Sequence, residues 1–261
     1  MTFLDGILAR KADEVAARRA ALPVGELEAR ARAAPGPRPF ALALSRRGGP
    51  PRFIAEVKRA SPSAGPIDAS LDAPAQAKRY AAAGAAAVSV LTDGPGFGGS
   101  LEDLAAARAA VSVPLLRKDF VLDRYQLLEA RAWGADAALL IVAALPGEAL
   151  RRLVDACSDL ALAALVEVHD EGEAEAALVA GARVVGVNNR DLRTFRVDLA
   201  ASERVLPMLP ADVLGVAESG IRGPAEVARL RRCGAANFLV GEALVRAADP
   251  GTLLREMAAA G

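Results

Sequence analysis

From Arg52 onward, short apolar runs rich in Val, Ile, Leu and Ala alternate with Ala-, Arg- and Glu-rich stretches whose apolar residues recur at helical spacing. The runs predict strands over Phe53 to Lys58, Ala86 to Leu91, Leu115 to Lys118, Ala137 to Val142, Ala161 to Val168, Val184 to Asn188, Val213 to Glu218 and Asn237 to Val240. They lack strict in-out alternation, as expected for parallel strands that need apolar residues on both faces. Several follow the same phrase, a helix closing on glycine and alanine: Ala83-Gly84-Ala85, Trp133-Gly134-Ala135, Ala180-Gly181-Ala182 and Cys233-Gly234-Ala235. Glycine there suits the left-handed residue that ends a helix before a short turn. Eight strand-helix units with short links predict an α/β fold, a closed (β/α)8 TIM barrel over residues 51–261. An open doubly wound sheet would carry a glycine fingerprint after its first strand, and Arg59 to Pro66 is not one.

Residues 1–50 read as an N-terminal helical extension packed on the barrel, with one domain overall. Two helical stretches, Thr2 to Arg19 and Val24 to Ala33, precede a Pro/Gly-rich connector from Ala34 to Pro39. Thr2 and Asp5 resemble a capping box.

Composition narrows the range of partners. The 261 residues are 53% hydrophobic and 25% charged, far from the disordered regime, and the length fits one barrel. Thirty-two basic residues balance 32 acidic ones without a basic block, so no nucleic acid and no membrane surface is expected as partner, and a small molecule is. No run approaches the roughly 18 apolar residues of a membrane span. The first residues lack the unbroken core of a signal peptide, so a cytoplasmic location is expected, with a monomer as the starting assumption. Cys157 and Cys233 lie in helical segments without a second thiol or histidine at ligand spacing and read as packing residues, so no metal is expected. His169, the lone histidine, follows a strand beside Asp170 and Glu171 and reads as a solvated loop residue.

Barrel enzymes place their chemistry at the C-terminal strand ends, because those ends and their loops form the open face. The first strand ends in Glu56 and Lys58, two apart and so on the same side of the pleat; the others contribute Lys118, Glu167, Asn188 and Glu218. One polar residue at a strand end is ordinarily a solvated loop residue. Six converging on one rim can shift one another's pKa and supply an acid and a base, which makes a proton-transfer site. Ser219-Gly220 after the seventh strand and Gly241 after the eighth offer backbone N–H groups to an anion, and Ser61 could add a hydroxyl. Ordinary helix capping by Ser219 stays open as the alternative. A phosphorylated small-molecule substrate is the expectation. Gly94 to Gly99 lacks the Lys-Ser/Thr of a nucleotide loop and reads as a flexible rim loop.

These motifs resemble one family. The stretch Ile54-Ala55-Glu56-Val57-Lys58-Arg59-Ala60-Ser61-Pro62-Ser63 is similar to a signature of indole-3-glycerol phosphate synthases. Leu116-Arg117-Lys118-Asp119-Phe120, Leu165-Val166-Glu167-Val168-His169, Gly186-Val187-Asn188-Asn189-Arg190-Asp191-Leu192 and Glu218-Ser219-Gly220-Ile221 match as well. The resemblance implies cofactor-free ring closure, decarboxylation and dehydration of 1-(2-carboxyphenylamino)-1-deoxyribulose 5-phosphate. It implies Lys118 as general acid, Glu167 as base, and Lys58 as holder of the anthranilate carboxylate. Glu56 would pair with the lysines, and Asn188 and Glu218 would bond substrate hydroxyl and intermediate. Arg190 would belong to the substrate site, Phe120, Leu139 and Leu192 could wall the anthranilate ring, and Ser61, Ser219, Gly220, Gly241 and Glu242 would hold phosphate. Glu242 departs from relatives with serine there, so only its backbone N–H is expected to serve. A phosphoribosylanthranilate isomerase would want a cysteine and an aspartate at strand ends, and neither Cys157 nor Cys233 ends a strand. A barrel that only binds its ligand would have no need of Glu56, Lys58, Lys118 and Glu167.

Overall fold

In the computed structural model, which describes residues 3–62, 65–191 and 194–260, the apolar runs become eight parallel strands. They are β1 (Arg52–Val57), β2 (Ala87–Leu91), β3 (Leu115–Lys118), β4 (Ala137–Ile141), β5 (Ala163–Val168), β6 (Val184–Asn188), β7 (Leu214–Glu218) and β8 (Asn237–Val240). Each pairs with the next, and β8 returns to β1 in the register Arg52↔Asn237, so the sheet closes. Nearly every strand residue is buried, the condition under which alternation disappears from the sequence. Gly84, Gly134, Gly181 and Gly234 all adopt left-handed φ between 87° and 94°, as the repeated phrase predicts.

The fifth strand starts two residues later than the apolar run from Ala161 predicts. Ala161 itself takes the left-handed turn position, at φ 56°, that glycine fills in the other four phrases, and β5 begins only at Ala163. The stretch Gly94–Gly99, expected as a flexible loop, contains a one-turn helix, Gly94–Phe97, whose first turn is capped by the Asp93 carboxylate accepting from Gly96 N at 3.0 Å.

Ahead of the barrel run α1 (Phe3–Ala21), α2 (Val24–Ala33) and a short α3 (Phe40–Ala43) that the sequence pattern does not predict. Phe40 is buried and drives that turn against the core. Thr2 of the expected capping box lies outside the described residues. Val15, Leu27 and Ala31 pack with Tyr125 and Leu128 of the helix Arg124–Ala132, and the Tyr125 hydroxyl lies 2.9 Å from the carbonyl oxygens of both Arg18 and Leu22. At the other end, Ser45 N donates to Asn237 Oδ1 and Asn237 Nδ2 donates to Ser45 O, both at 2.8 Å. The buried residues of α1 are Ile7, Lys11 and Val15, four apart on one face. Among the described residues, no helix is long and apolar enough to cross a membrane.

Candidate active site

A cavity of about 570 Å³ opens at the C-terminal ends of the strands, and all six polar strand-end residues line it. Register brings them together. Asn188 pairs with Glu218 across β6 and β7, Glu167 stands opposite Ile141, and Lys118 stands opposite Leu91. Lys58 Nζ lies 2.9 Å from Glu56 Oε1. Lys118 Nζ lies 3.3 Å from Glu167 Oε2 and 3.7 Å from Glu218 Oε2, and Asn188 Nδ2 donates to Glu167 Oε1 at 3.0 Å.

Two glycines make this crowding possible. A Cβ on Gly186 would come within 1.9 Å of Glu218 Oε1, and one on Gly241 within 2.5 Å of Glu56 Oε1. Gly186 in mid-strand is thus the seat of the Glu218 carboxyl, and glycine inside a strand often marks such an approach.

Three carboxylates and two lysines cluster in the buried mouth, and their titration follows from burial and from one another's charge. Burial alone would raise Glu56 and Glu167, but lysine charge outweighs it. Lys58 and then Lys118 hold Glu56 below its usual range, and chiefly Lys118 does so for Glu167. Burial works to deprotonate Lys118, yet Glu167, Glu218 and Glu56 together push it above its ordinary value. Glu218 is the remainder: burial raises it, Lys118 pulls it back, Glu167 and Glu56 push it further, and it reaches about 8. The site therefore holds a cationic Lys118, ionised Glu56 and Glu167, and a Glu218 that carries a proton near neutrality.

The remaining sequence candidates gather on the same cavity. Ser61, Phe120, Arg190, Ser219, Gly220, Gly241 and Glu242 all line it, as do Phe97, Leu139 and, from α1, Phe3, Leu4 and Ile7. Leu192 lies outside the described residues. Ser219 (φ 64°) and Gly220 (φ 77°) turn the chain left-handed in succession, and a Gly220 Cβ would strike Val197 Cγ1 at 2.4 Å. A serine in that region is uncommon and marks a constrained turn. Ser219 does not cap the helix that follows this turn, contrary to the capping alternative. The helix starts at Pro224 on Gly223, with Gly223 N donating to Glu226 Oε2 at 2.9 Å, because proline fits the first helical turn. The Glu242 carboxylate accepts from Arg246 Nε at 3.0 Å within its own short helix, Glu242–Arg246.

His169 is not a solvated loop residue. Its side chain is only 15% exposed because the helix Glu171–Val179 folds Glu173 back onto it, with Nδ1 and Glu173 Oε2 3.0 Å apart. Both cysteines stay away from the cavity: Cys157 is buried in the helix Glu148–Asp159, its thiol pushed up to about 12 by burial, and Cys233 follows the helix Pro224–Arg231.

A second ionic cluster abuts the mouth. Lys11 Nζ, fully buried, lies 2.6 Å from Asp93 Oδ1, 3.0 Å from Asp119 Oδ1 and 2.8 Å from Glu14 Oε2. Arg117, equally buried, reaches Asp119 at 2.9 Å and Glu129 at 3.2 Å, and Arg18 meets Glu129 at 2.9 Å. Burial tends to raise Asp119, but Arg117 and Lys11 bring it down to about 2. This cluster pins α1 to the loops after β2 and β3 and thereby sets the apolar rim of the cavity.

Comparison with known proteins agrees with the geometry. The family model for indole-3-glycerol phosphate synthase matches residues 4–257. Proteins of that name are similar along the whole chain: 50% identity in Kineococcus radiotolerans, 49% in Mycobacterium leprae and 48% in Streptomyces griseus, covering 100% of this chain and 96%, 95% and 96% of theirs. Among solved structures, a 3-hexulose-6-phosphate synthase superposes with a TM-score of 0.62 at 19% identity over 80% of this chain and 99% of its own, a likeness of fold alone. With six strand-end groups around one cavity and relatives matched end to end, the chain belongs to the indole-3-glycerol phosphate synthase family.

Proposed function

We propose that the mouth cluster carries the family's ring closure, decarboxylation and dehydration as a proton-transfer site with a fixed division of roles. The chain is accordingly a decarboxylating carbon–carbon lyase of tryptophan biosynthesis. The observation that carries the role assignment is Lys118 Nζ at 3.3 Å from Glu167 and 3.7 Å from Glu218 inside the substrate-sized cavity.

When the carboxylate-bearing ring carbon of the substrate attacks the sugar ketone, negative charge develops on the ketone oxygen. A cationic Lys118 faces that charge and gives up its proton as the oxygen becomes an alkoxide, whose basicity far exceeds that of any lysine. Its raised pKa keeps it charged until then. Lys58, held by Glu56 at 2.9 Å, serves the anthranilate carboxylate and then the departing hydroxyl. Carbon dioxide leaves, and ionised Glu167 removes the proton whose loss restores aromaticity. Asn188 steadies Glu167, and the protonated Glu218 donates a hydrogen bond to a substrate hydroxyl. Phe120, with Phe97 beside it at a ring separation of 6.2 Å, walls the anthranilate ring, and Arg190 contacts the substrate's polar portion.

Phosphate is held by the turns at Ser61, Ser219, Gly220, Gly241 and Glu242. Only the backbone of Glu242 takes part, which is supported by the engagement of its side chain with Arg246. Glu242→Ser should change phosphate affinity by less than tenfold; a tightening of tenfold or more, about 1.4 kcal/mol, would place the carboxylate against the phosphate. The test of the reading as a whole is incubation of purified protein with the carboxyphenylamino-deoxyribulose phosphate while indole fluorescence is followed. A rise accompanied by carbon dioxide release is expected, and a flat trace with folded protein would leave a barrel that only binds.

A further inference from the structure

His169 stands immediately behind the mouth and has no part in the roles above. Glu173 Oε2 accepts from the His169 backbone N–H at 2.8 Å and lies 3.0 Å from Nδ1, so one carboxylate clamps the residue at two points. On the far side of the ring, Nε2 is buried without a hydrogen-bond partner among the described residues and faces Glu167 Oε1 at 3.7 Å. That oxygen already accepts from Asn188, and its twin lies 3.3 Å from Lys118, so the imidazole closes the remaining side of the carboxylate. The acidic neighbours Asp170 and Glu171 are engaged elsewhere, Asp170 as helix cap and Glu171 with Arg204.

We propose that His169 is a positioning residue for Glu167, a ring braced between Glu173 and Glu167 that backs the Glu167 carboxylate and keeps it aimed into the cavity. The proposal rests on the reading of Glu167 as the base. Among the described residues, the carboxylates that act most on the ring are Glu173 from the following helix, Glu167 from β5 and Glu218 from β7. Burial opposes charge on the ring, but these carboxylates outweigh it and raise His169 above the ordinary histidine value. Reciprocally, His169 adds to Lys118 in depressing Glu167.

As His169 is the only histidine of the chain, its ring signals in a proton NMR titration report this group alone. The wild-type midpoint should lie above the ordinary value of about 6.5 and fall by about half a pH unit or more in Glu173→Gln and in Glu167→Gln. A midpoint indifferent to Glu167→Gln would overturn the proposal. In His169→Gln, which keeps hydrogen-bonding capacity without charge, the acid limb of kcat should move up by about half a pH unit or more with KM within about twofold. A uniform loss of kcat with the limb in place would reduce His169 to packing and also overturn it. Near-normal turnover in Glu167→Gln, with the titration coupling intact, would instead refute the assignment of Glu167 as base.

Discussion

Arg117, Lys118 and Asp119 are consecutive, yet they serve two different buried ionic clusters. The pleat sends Lys118 into the mouth, while Arg117 and Asp119 join Lys11, Asp93, Glu129 and Glu14 in a cluster beside it, in which Asp93 and Asp119 form part of the cavity wall. In the outer cluster cations and carboxylates are matched: Lys11 and Arg117 at the centre, Arg10 and Arg18 at the edge, against four acids. Each central charge has close partners, and Asp119 sinks to about 2. In the mouth three carboxylates face two lysines, and burial, joined by the charges of Glu167 and Glu56, outweighs Lys118 and leaves Glu218 at about 8. Matched buried charge holds elements together, whereas unmatched charge keeps a proton available near neutrality. One stretch of chain thus supplies both the clamp and the chemistry.

Breaking the matched cluster should cost stability more than turnover. Lys11→Met leaves Asp93 and Asp119 short of a buried partner and should cost about 3 kcal/mol, read as a fall in the denaturant midpoint. Turnover per folded molecule should stay within about threefold, and a much larger loss of kcat would merge the two clusters into one functional unit. A smaller free-energy effect, and one confined to the mouth, is expected of Gly186→Ala. Its Cβ would stand 1.9 Å from Glu218 Oε1, and displacing that carboxyl should lower kcat by about tenfold, about 1.4 kcal/mol.

The third effect is one of slope. Because the folded protein raises Glu218 from 4.5 to about 8, the stability linked to its protonated form is complete below 4.5 and is lost as pH rises through about 8. Glu218→Gln, neutral throughout, removes that loss. Its stability relative to wild type should therefore climb between about pH 4.5 and 8 in parallel urea titrations, the window set by those two values. A difference independent of pH would mean that Glu218 titrates normally.

Much of the mouth is legible in the sequence, because a polar residue ending an apolar strand is a local signal and the barrel supplies the convergence. Glu56, Lys58, Lys118, Glu167, Asn188 and Glu218 all met as expected. What escaped notice depends on partners distant in sequence. Lys11 reads as one of the polar residues of α1, although it sits midway between Ile7 and Val15 on the buried face; beside nearby Glu14, it takes Asp93 and Asp119, more than eighty residues away, to make its burial tolerable. His169 looked solvated because Glu173 folds back on it only once the next helix has formed. Gly186 passed for an ordinary strand residue because its meaning lies on β7.

The central claim, that the unmatched cluster performs the proton transfers, is tested most directly by kcat of Lys118→Met in the indole fluorescence assay at a temperature where the variant is folded. The account predicts a fall of at least about a hundredfold, the scale of losing a positioned general acid. Turnover like that of wild type would remove Lys118 from the chemistry and contradict it.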